Sequence, residues 1–261
     1  MANGALESRT LVESALQHER GVAAALLVLA IACWTWIAVM ATDMYGTMDG
    51  ASAWMMTTHW DTVHLLLLVA MWVAMMTAMM LPSAAPLILL FAGAARARGE
   101  EDARRKTYAI ATGYLVVWLL FSVAAAVLQR ALASRSVLTP MMEPESTMAA
   151  AAIFAIAGLY QLTPLKRACL RVCRSPLAFL MQHSRSGTSG AFALGVRHGA
   201  YCLGCCWALM LLLFAGGVMN LWVVVALTAW VLIEKFAPFG ERIARVSGVA
   251  LLVLAAWMAI R

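Results

Sequence analysis

Long apolar runs, separated by short polar and charged stretches, dominate this chain. Stretches of 16 to 24 residues recur at 22–41, 63–80, 107–128, 148–162, 192–215, 221–236 and 243–260, the fourth of them slightly shorter. A bilayer core needs roughly 20 apolar residues per helical span, so the pattern predicts about seven spans. A spanning segment must satisfy its own backbone hydrogen bonds, which selects helices. A β-barrel would alternate in polarity along short strands, and that alternation is absent here. The expected fold is all-α, a polytopic transmembrane helical bundle treated as one integral-membrane metal-binding domain over 1–261.

The inner end of the second span carries Pro82 and Pro86, which predict a kink or a break there. Pro164 ends the fourth span, Gly216-Gly217 close the fifth, and Pro238 follows the sixth. The first apolar run follows Arg9 and Arg20 and is too long for the roughly 7–15 apolar residues of a signal peptide, so a retained helix is expected.

Composition agrees with the pattern. Of 261 residues, 64% are hydrophobic and 12% charged. The net charge of +6 does not indicate nucleic-acid binding, because the basic residues fall between apolar runs, where they set topology. Arg96, Arg98, Arg104, Arg105 and Lys106 follow span two. Lys166, Arg167, Arg171, Arg174 and Arg185 follow span four, and Lys235, Arg242 and Arg245 flank the sixth connection. The opposite side has only Arg130, Arg135 and Arg261. The positive-inside rule places segment 1–21 in the cytosol, and the expected location is a bacterial inner membrane. The arginines near Cys169 and Cys173 are expected to meet anionic lipid headgroups.

The outer connections are acidic and rich in methionine, with Asp43, Met44, Met48, Asp49, Met55, Met56, His59 and Asp61 in the first and Met141, Met142, Glu143 and Glu145 in the second. Six cysteines, Cys33, Cys169, Cys173, Cys202, Cys205 and Cys206, fall in or beside spans, which argues against an extracellular disulfide framework.

Chemistry concentrates in two places. In the fifth span His198, Cys202 and Cys206 are spaced i, i+4 and i+8, with Cys205 beside them, so one helix face carries four soft-metal ligands. In the second span His64, Met71, Met75 and Met79 share an arc of about 80°. Thioethers and thiols suit Cu(I), although a single Met is more often core filler and an isolated Cys a small buried hydrophobe. A redox CxxC at Cys202 and Cys205, or a structural zinc site, are the other readings of the cluster. Cys169 and Cys173 read as unremarkable thiols, and Glu234-Lys235 as an ion pair snorkelling to the inner interface. Gln161 and Thr163 are placed to satisfy backbone groups that Pro164 frees. No Walker motif, nucleophile elbow, HExxH or glycine-rich nucleotide loop is present, so an enzyme or ATP-driven pump is not expected.

The motifs Trp72-Val-Ala-Met75-Met76-Thr-Ala-Met79-Met80-Leu-Pro82, Gly158-Leu-Tyr160-Gln161-Leu-Thr163-Pro164, Cys169 with Cys173-Arg174-Ser-Pro176, His198-Gly-Ala-Tyr201-Cys202-Leu-Gly204-Cys205-Cys206-Trp207, Gly217-Val-Met219-Asn220 and Glu234-Lys235 follow in order. With them the chain resembles a bacterial family of metal-binding integral membrane proteins that includes membrane copper chaperones encoded beside tyrosinases. The resemblance implies metal binding and copper delivery to a client copper enzyme. A passive transition-metal permease and a membrane thiol oxidoreductase or copper-enzyme component are the alternatives.

Overall fold

A computed structural model describes residues 19–44, 62–135 and 146–260. The outer-loop residues Met48, Asp49, Met55, Met56, His59, Asp61, Met141, Met142, Glu143 and Glu145 lie outside the described residues. Among those described, the secondary structure is entirely helical: α1 (Arg20–Met44), α2 (Thr62–Ala97), α3 (Ala103–Ala133), α4 (Thr147–Leu162), α5 (Pro164–Cys173), α6 (Pro176–His183), α7 (Gly187–Gly216), α8 (Leu221–Phe236) and α9 (Gly240–Ile260).

Five helices, α1, α2, α3, α7 and α9, are long and apolar enough to cross a membrane, and α4 with α5 adds a sixth if that pair, bent by 68°, counts as one span. The predicted seven also included 221–236. That segment is helical, but its 16 residues make α8 only about 24 Å long, short of a bilayer core of about 30 Å.

Local sequence explains where the helices begin and end. Ser146 starts α4 by accepting the Ala149 amide proton, and Asn220 starts α8 by accepting those of Trp222 and Val223. Thr163 starts α5 by accepting the Lys166 amide proton, with Pro164 at the first helical position where its missing N–H costs nothing. Thr163 thus caps the helix after the proline, while Gln161 turns elsewhere. Gly217, with φ of 86°, ends α7 in a conformation that favours glycine.

Pro82 and Pro86 do not end α2, which continues unbroken to Ala97. Each proline removes one helical hydrogen bond. Packing outweighs that loss, because Leu81, Ala84, Leu87, Ile88, Leu89 and Phe91 are all buried on several sides. Ser83 and Tyr114 also donate their hydroxyl protons to the Met80 carbonyl, at 2.8 and 2.9 Å.

The core is a layer formed by α2, α3 and α7, with α4, α5 and α8 closing it and α9 lying along α4. The α3–α7 contact is closest at Gly113 and Gly195. A Cβ at Gly195 would strike the Ile110 carbonyl, and one at Gly113 the Phe192 carbonyl. Small residues let helix backbones approach in this way. Gly158 and Gly248 do the same for α4 and α9, each 2.9 Å or more from its nearest opposing atom if given a Cβ. The outward faces are apolar: Leu27, Val28, Leu66, Leu120, Leu159, Trp222, Val246 and Val253 are exposed.

Between α2 and α3, outside the apolar segments, Lys106 and Arg98 hydrogen-bond to Glu100 and hold its carboxyl below the usual carboxylate range.

The glycine contact gives a direct test. Gly195→Val pushes a branched side chain into the α3 backbone, and overpacking of this kind costs about 1–3 kcal/mol. The melting temperature in detergent is expected to fall by roughly 2–10 °C, while Gly21→Val, which meets nothing within 4 Å, leaves it unchanged.

Candidate metal centre

The fifth predicted span supplies the middle of α7, and its cysteines are buried. Their thiols neighbour one another, and each also reaches a different group on the surrounding helices. Cys205 and Cys206 each donate to the Cys202 carbonyl, at 3.1 and 3.0 Å. From there Cys205 lies toward α5, with its thiol beside that of Cys173. Cys206 faces α2 and lies 3.8 Å from the Met80 sulfur. Cys202 faces α3 and α8, with its sulfur 3.0 Å from the Tyr114 hydroxyl and 3.0 Å from the Lys235 ammonium.

Cys169, one turn before Cys173 on α5, approaches the α7 backbone where Gly204 has no side chain. A Cβ there would sit 2.8 Å from the Cys169 sulfur. Cys169 and Cys173, expected on the inner loop, lie instead on a helix packed against α7. The sharp turn at Thr163-Pro164 folds α5 back against α7, and Cys173 meets Cys205.

The second predicted ligand face is buried throughout: His64, Met71, Met75 and Met79 are each at most 2% exposed. The thioether in contact with the thiols belongs to Met80, not part of that predicted face. α2 and α7 meet through side chains, Met80 with Cys206, Ser83 with Cys202 at 3.8 Å, and Trp72 with Phe214 at a ring distance of 5.3 Å. His198 packs on the rings of Tyr114 and Phe179, and its Nδ1 has no hydrogen-bond partner.

Among the described residues no group of three or more His, Cys, Asp or Glu side chains is arranged to hold a metal ion. The centre consists instead of neighbouring sulfur pairs contributed by three helices. It could bind a metal that accepts two ligands; a tetrahedral cage is not preformed.

Two buried charges flank the sulfurs, and they were misread in sequence as one pair. Glu234 and Lys235 reach different partners on different sides of α8. Glu234 binds Lys166 at 2.6 Å, with both side chains 1% exposed. It also accepts from Gln161 at 2.6 Å and Trp230 at 2.9 Å. Gln161 in turn donates to Ser247 on α9. Arg174, expected at lipid headgroups, donates to the backbone carbonyls of Glu234 and Pro238. Arg171 lies 3.8 Å from Glu241. This network ties α4, α5, α8 and α9 together beside Cys169 and Cys173.

Tyr114 and Ser83 carry no signal at the level of sequence, since hydroxyls within apolar helices are ordinary. A lysine adjacent to a glutamate invites pairing on paper, but consecutive helix positions lie about 100° apart.

Removing one partner of the buried pair has a predictable sign. Glu234→Gln leaves the Lys166 ammonium unpaired in an apolar interior, which costs about 3–5 kcal/mol. Replacing both by methionine is expected to restore roughly half of that loss or more, read as thermal unfolding of the detergent-solubilised protein.

No curated protein and no solved structure matches the chain. The profile of the family PpoB2, described as a copper chaperone, matches residues 69–258, which include every helix from most of α2 to most of α9. This chain therefore belongs to the PpoB2 copper chaperone family.

Proposed function

We propose that this protein is a membrane-embedded, single-domain chaperone that binds copper as Cu(I) and delivers it to a partner copper enzyme, without catalysing a reaction itself. The observation that carries the reading is the set of adjacent sulfurs: Cys173 against Cys205, and Cys202 and Cys206 one turn apart with Met80 alongside. Thiols and thioethers are soft donors that favour Cu(I), and Cu(I) is satisfied by two of them. Zinc, the alternative cargo, prefers four ligands in a tetrahedron. Its support is weaker here, because no three-donor group is preformed among the described residues.

Neighbouring pairs also suit a chaperone. Copper can exchange one sulfur for the next without becoming uncoordinated, so transfer needs no nucleotide. The buried His64, Met71, Met75 and Met79 lie on α2, the helix that brings Met80 to the thiols, and extend the possible route away from Cys206. His198, with an unpartnered ring nitrogen, lies one turn from Cys202 on α7. The exposed apolar faces of α1, α3, α8 and α9 fit a lipid bilayer, and the basic residues on the inner connections orient the chain in a bacterial inner membrane.

The test is metal content. The detergent-purified protein, loaded with Cu(I) under reducing conditions, is expected to retain copper through desalting. The Cys202/Cys205/Cys206→Ser variant is expected to lose most of it, and Cys173→Ser part of it. Unchanged copper in a folded triple variant would refute the assignment. Transfer to an apo copper protein, without copper uptake into proteoliposomes, separates a chaperone from a permease.

A further inference from the structure

Lys235 is buried in the centre of the bundle, and among the described residues no carboxylate lies in ion-pair distance of it. Its sequence neighbour Glu234 is committed to Lys166. Lys235 donates to Ser83 at 2.9 Å and to the Cys202 sulfur at 3.0 Å. Ser83 in turn donates to the Met80 carbonyl, so its lone pairs are turned toward the ammonium. Cys205 and Cys206, on the same turn of α7, both donate to the carbonyl of that Cys202. A cation held against a cluster of thiols, rather than against an acid, is an expensive arrangement in an apolar interior unless the thiols carry negative charge in the working state.

Charge counting shows what that state is. Binding Cu(I) between two thiols releases two protons and adds one positive charge, leaving a bis-thiolate complex with one net negative charge. Lys235 neutralises it. Binding Zn(II) to the same two thiols also releases two protons, but the complex is neutral, and Lys235 is then an uncompensated positive charge beside it. In water the difference would be small. Where the surroundings are apolar and the cation is in direct contact with a ligand sulfur, Coulomb energies are many times larger.

We propose that Lys235 is the specificity-determining residue of the thiol centre: its ammonium, 3.0 Å from the Cys202 sulfur, selects monovalent soft ions, Cu(I) and Ag(I), over divalent ones such as Zn(II). Ser83 and Tyr114 act as positioning residues. Ser83 holds the ammonium, and Tyr114, bonded to both Cys202 and the Met80 carbonyl, holds the sulfur opposite it. This inference rests on the copper reading of the thiols and adds to it the device that rejects the competing metal.

The experiment compares Cu(I) and Zn(II) affinities of the full-length detergent-purified protein, each by competition with a chromophoric chelator, with Ag(I) as a redox-inert check on Cu(I). The variants are Lys235→Met, Lys235→Gln as a second uncharged replacement that keeps a polar head for Ser83, and Lys235→Arg, which keeps the charge. The expected result is that Lys235→Met and Lys235→Gln reduce the preference for Cu(I) over Zn(II) by about tenfold or more, while Lys235→Arg stays near the parent ratio. A ratio unchanged in both uncharged variants overturns the proposal. A structural role for Lys235 would lower both affinities together and leave the ratio where it was, which also overturns it. The Cys202/Cys205/Cys206→Ser variant is run in parallel. If it binds Cu(I) as the parent does, the thiol reading fails and takes this proposal with it; if it loses Cu(I) while the Lys235 ratio is unchanged, only this proposal fails.

Discussion

A buried charge in an apolar interior must find an opposite charge or a dense set of hydrogen bonds, and this requirement organises the bundle around the last turn of α8. Glu234 and Lys235 are adjacent and opposite in sign, yet neither neutralises the other. Glu234 reaches to one side and gathers Lys166, Gln161 and Trp230. Lys235 reaches to the other and gathers Ser83 and Cys202. One helical turn therefore joins two polar networks, one fastening α4, α5 and α9 and the other fastening α2, α3 and α7. Each charge is costly by itself, and each is tolerated because its partners come from different helices. The cost of separating them is what fixes the relative placement of those helices.

Close backbone approach supplies the second requirement. Tyr114 reaches the Cys202 sulfur because α3 and α7 nearly touch at Gly113 and Gly195, and Gly199 meets Val117 and the Tyr114 carbonyl along the same line. Cys169 reaches α7 because position 204 is empty. Glycines at these positions are part of the sulfur centre although none of them offers a ligand. Neighbouring aromatic rings fill the remaining space: Tyr160 packs edge-on to Trp207 and donates to the Gly204 carbonyl, closing the α4 side of the same stretch of α7.

Much of this was readable in the chain. Apolar run lengths identify the helices, and three cysteines within five residues mark the stretch of α7 where the buried thiols gather. What was not readable depends on long-range geometry. Pro82 and Pro86 look like a break because local propensity says so, and only the burial of the residues after them shows why α2 carries on. Cys173 looks idle because its partner is 32 residues away and the bend that joins them is set by one capped proline. Lys235 looks paired because the glutamate beside it is a nearer candidate than a thiol on another helix. In each case a one-dimensional neighbour was a poor guide to the three-dimensional one.

α1 stands apart from this arrangement. It packs mainly on α2, with a lesser contact to α8, and turns Leu27, Val28, Ile31, Trp36 and Val39 outward. Every residue of the two polar networks and of the sulfur centre falls within 69–258, the region shared with the copper chaperone family. Those two networks and the sulfur centre thus draw no bond from α1, although Glu19 just before it pairs with Arg96 and its buried face joins the apolar core. A helix attached from outside such a unit is free to change in sequence, to be exchanged or to acquire contacts of its own while the centre keeps its geometry. In lineages of this fold, diversity is expected to gather at α1 and constraint at the turn that carries Glu234 and Lys235.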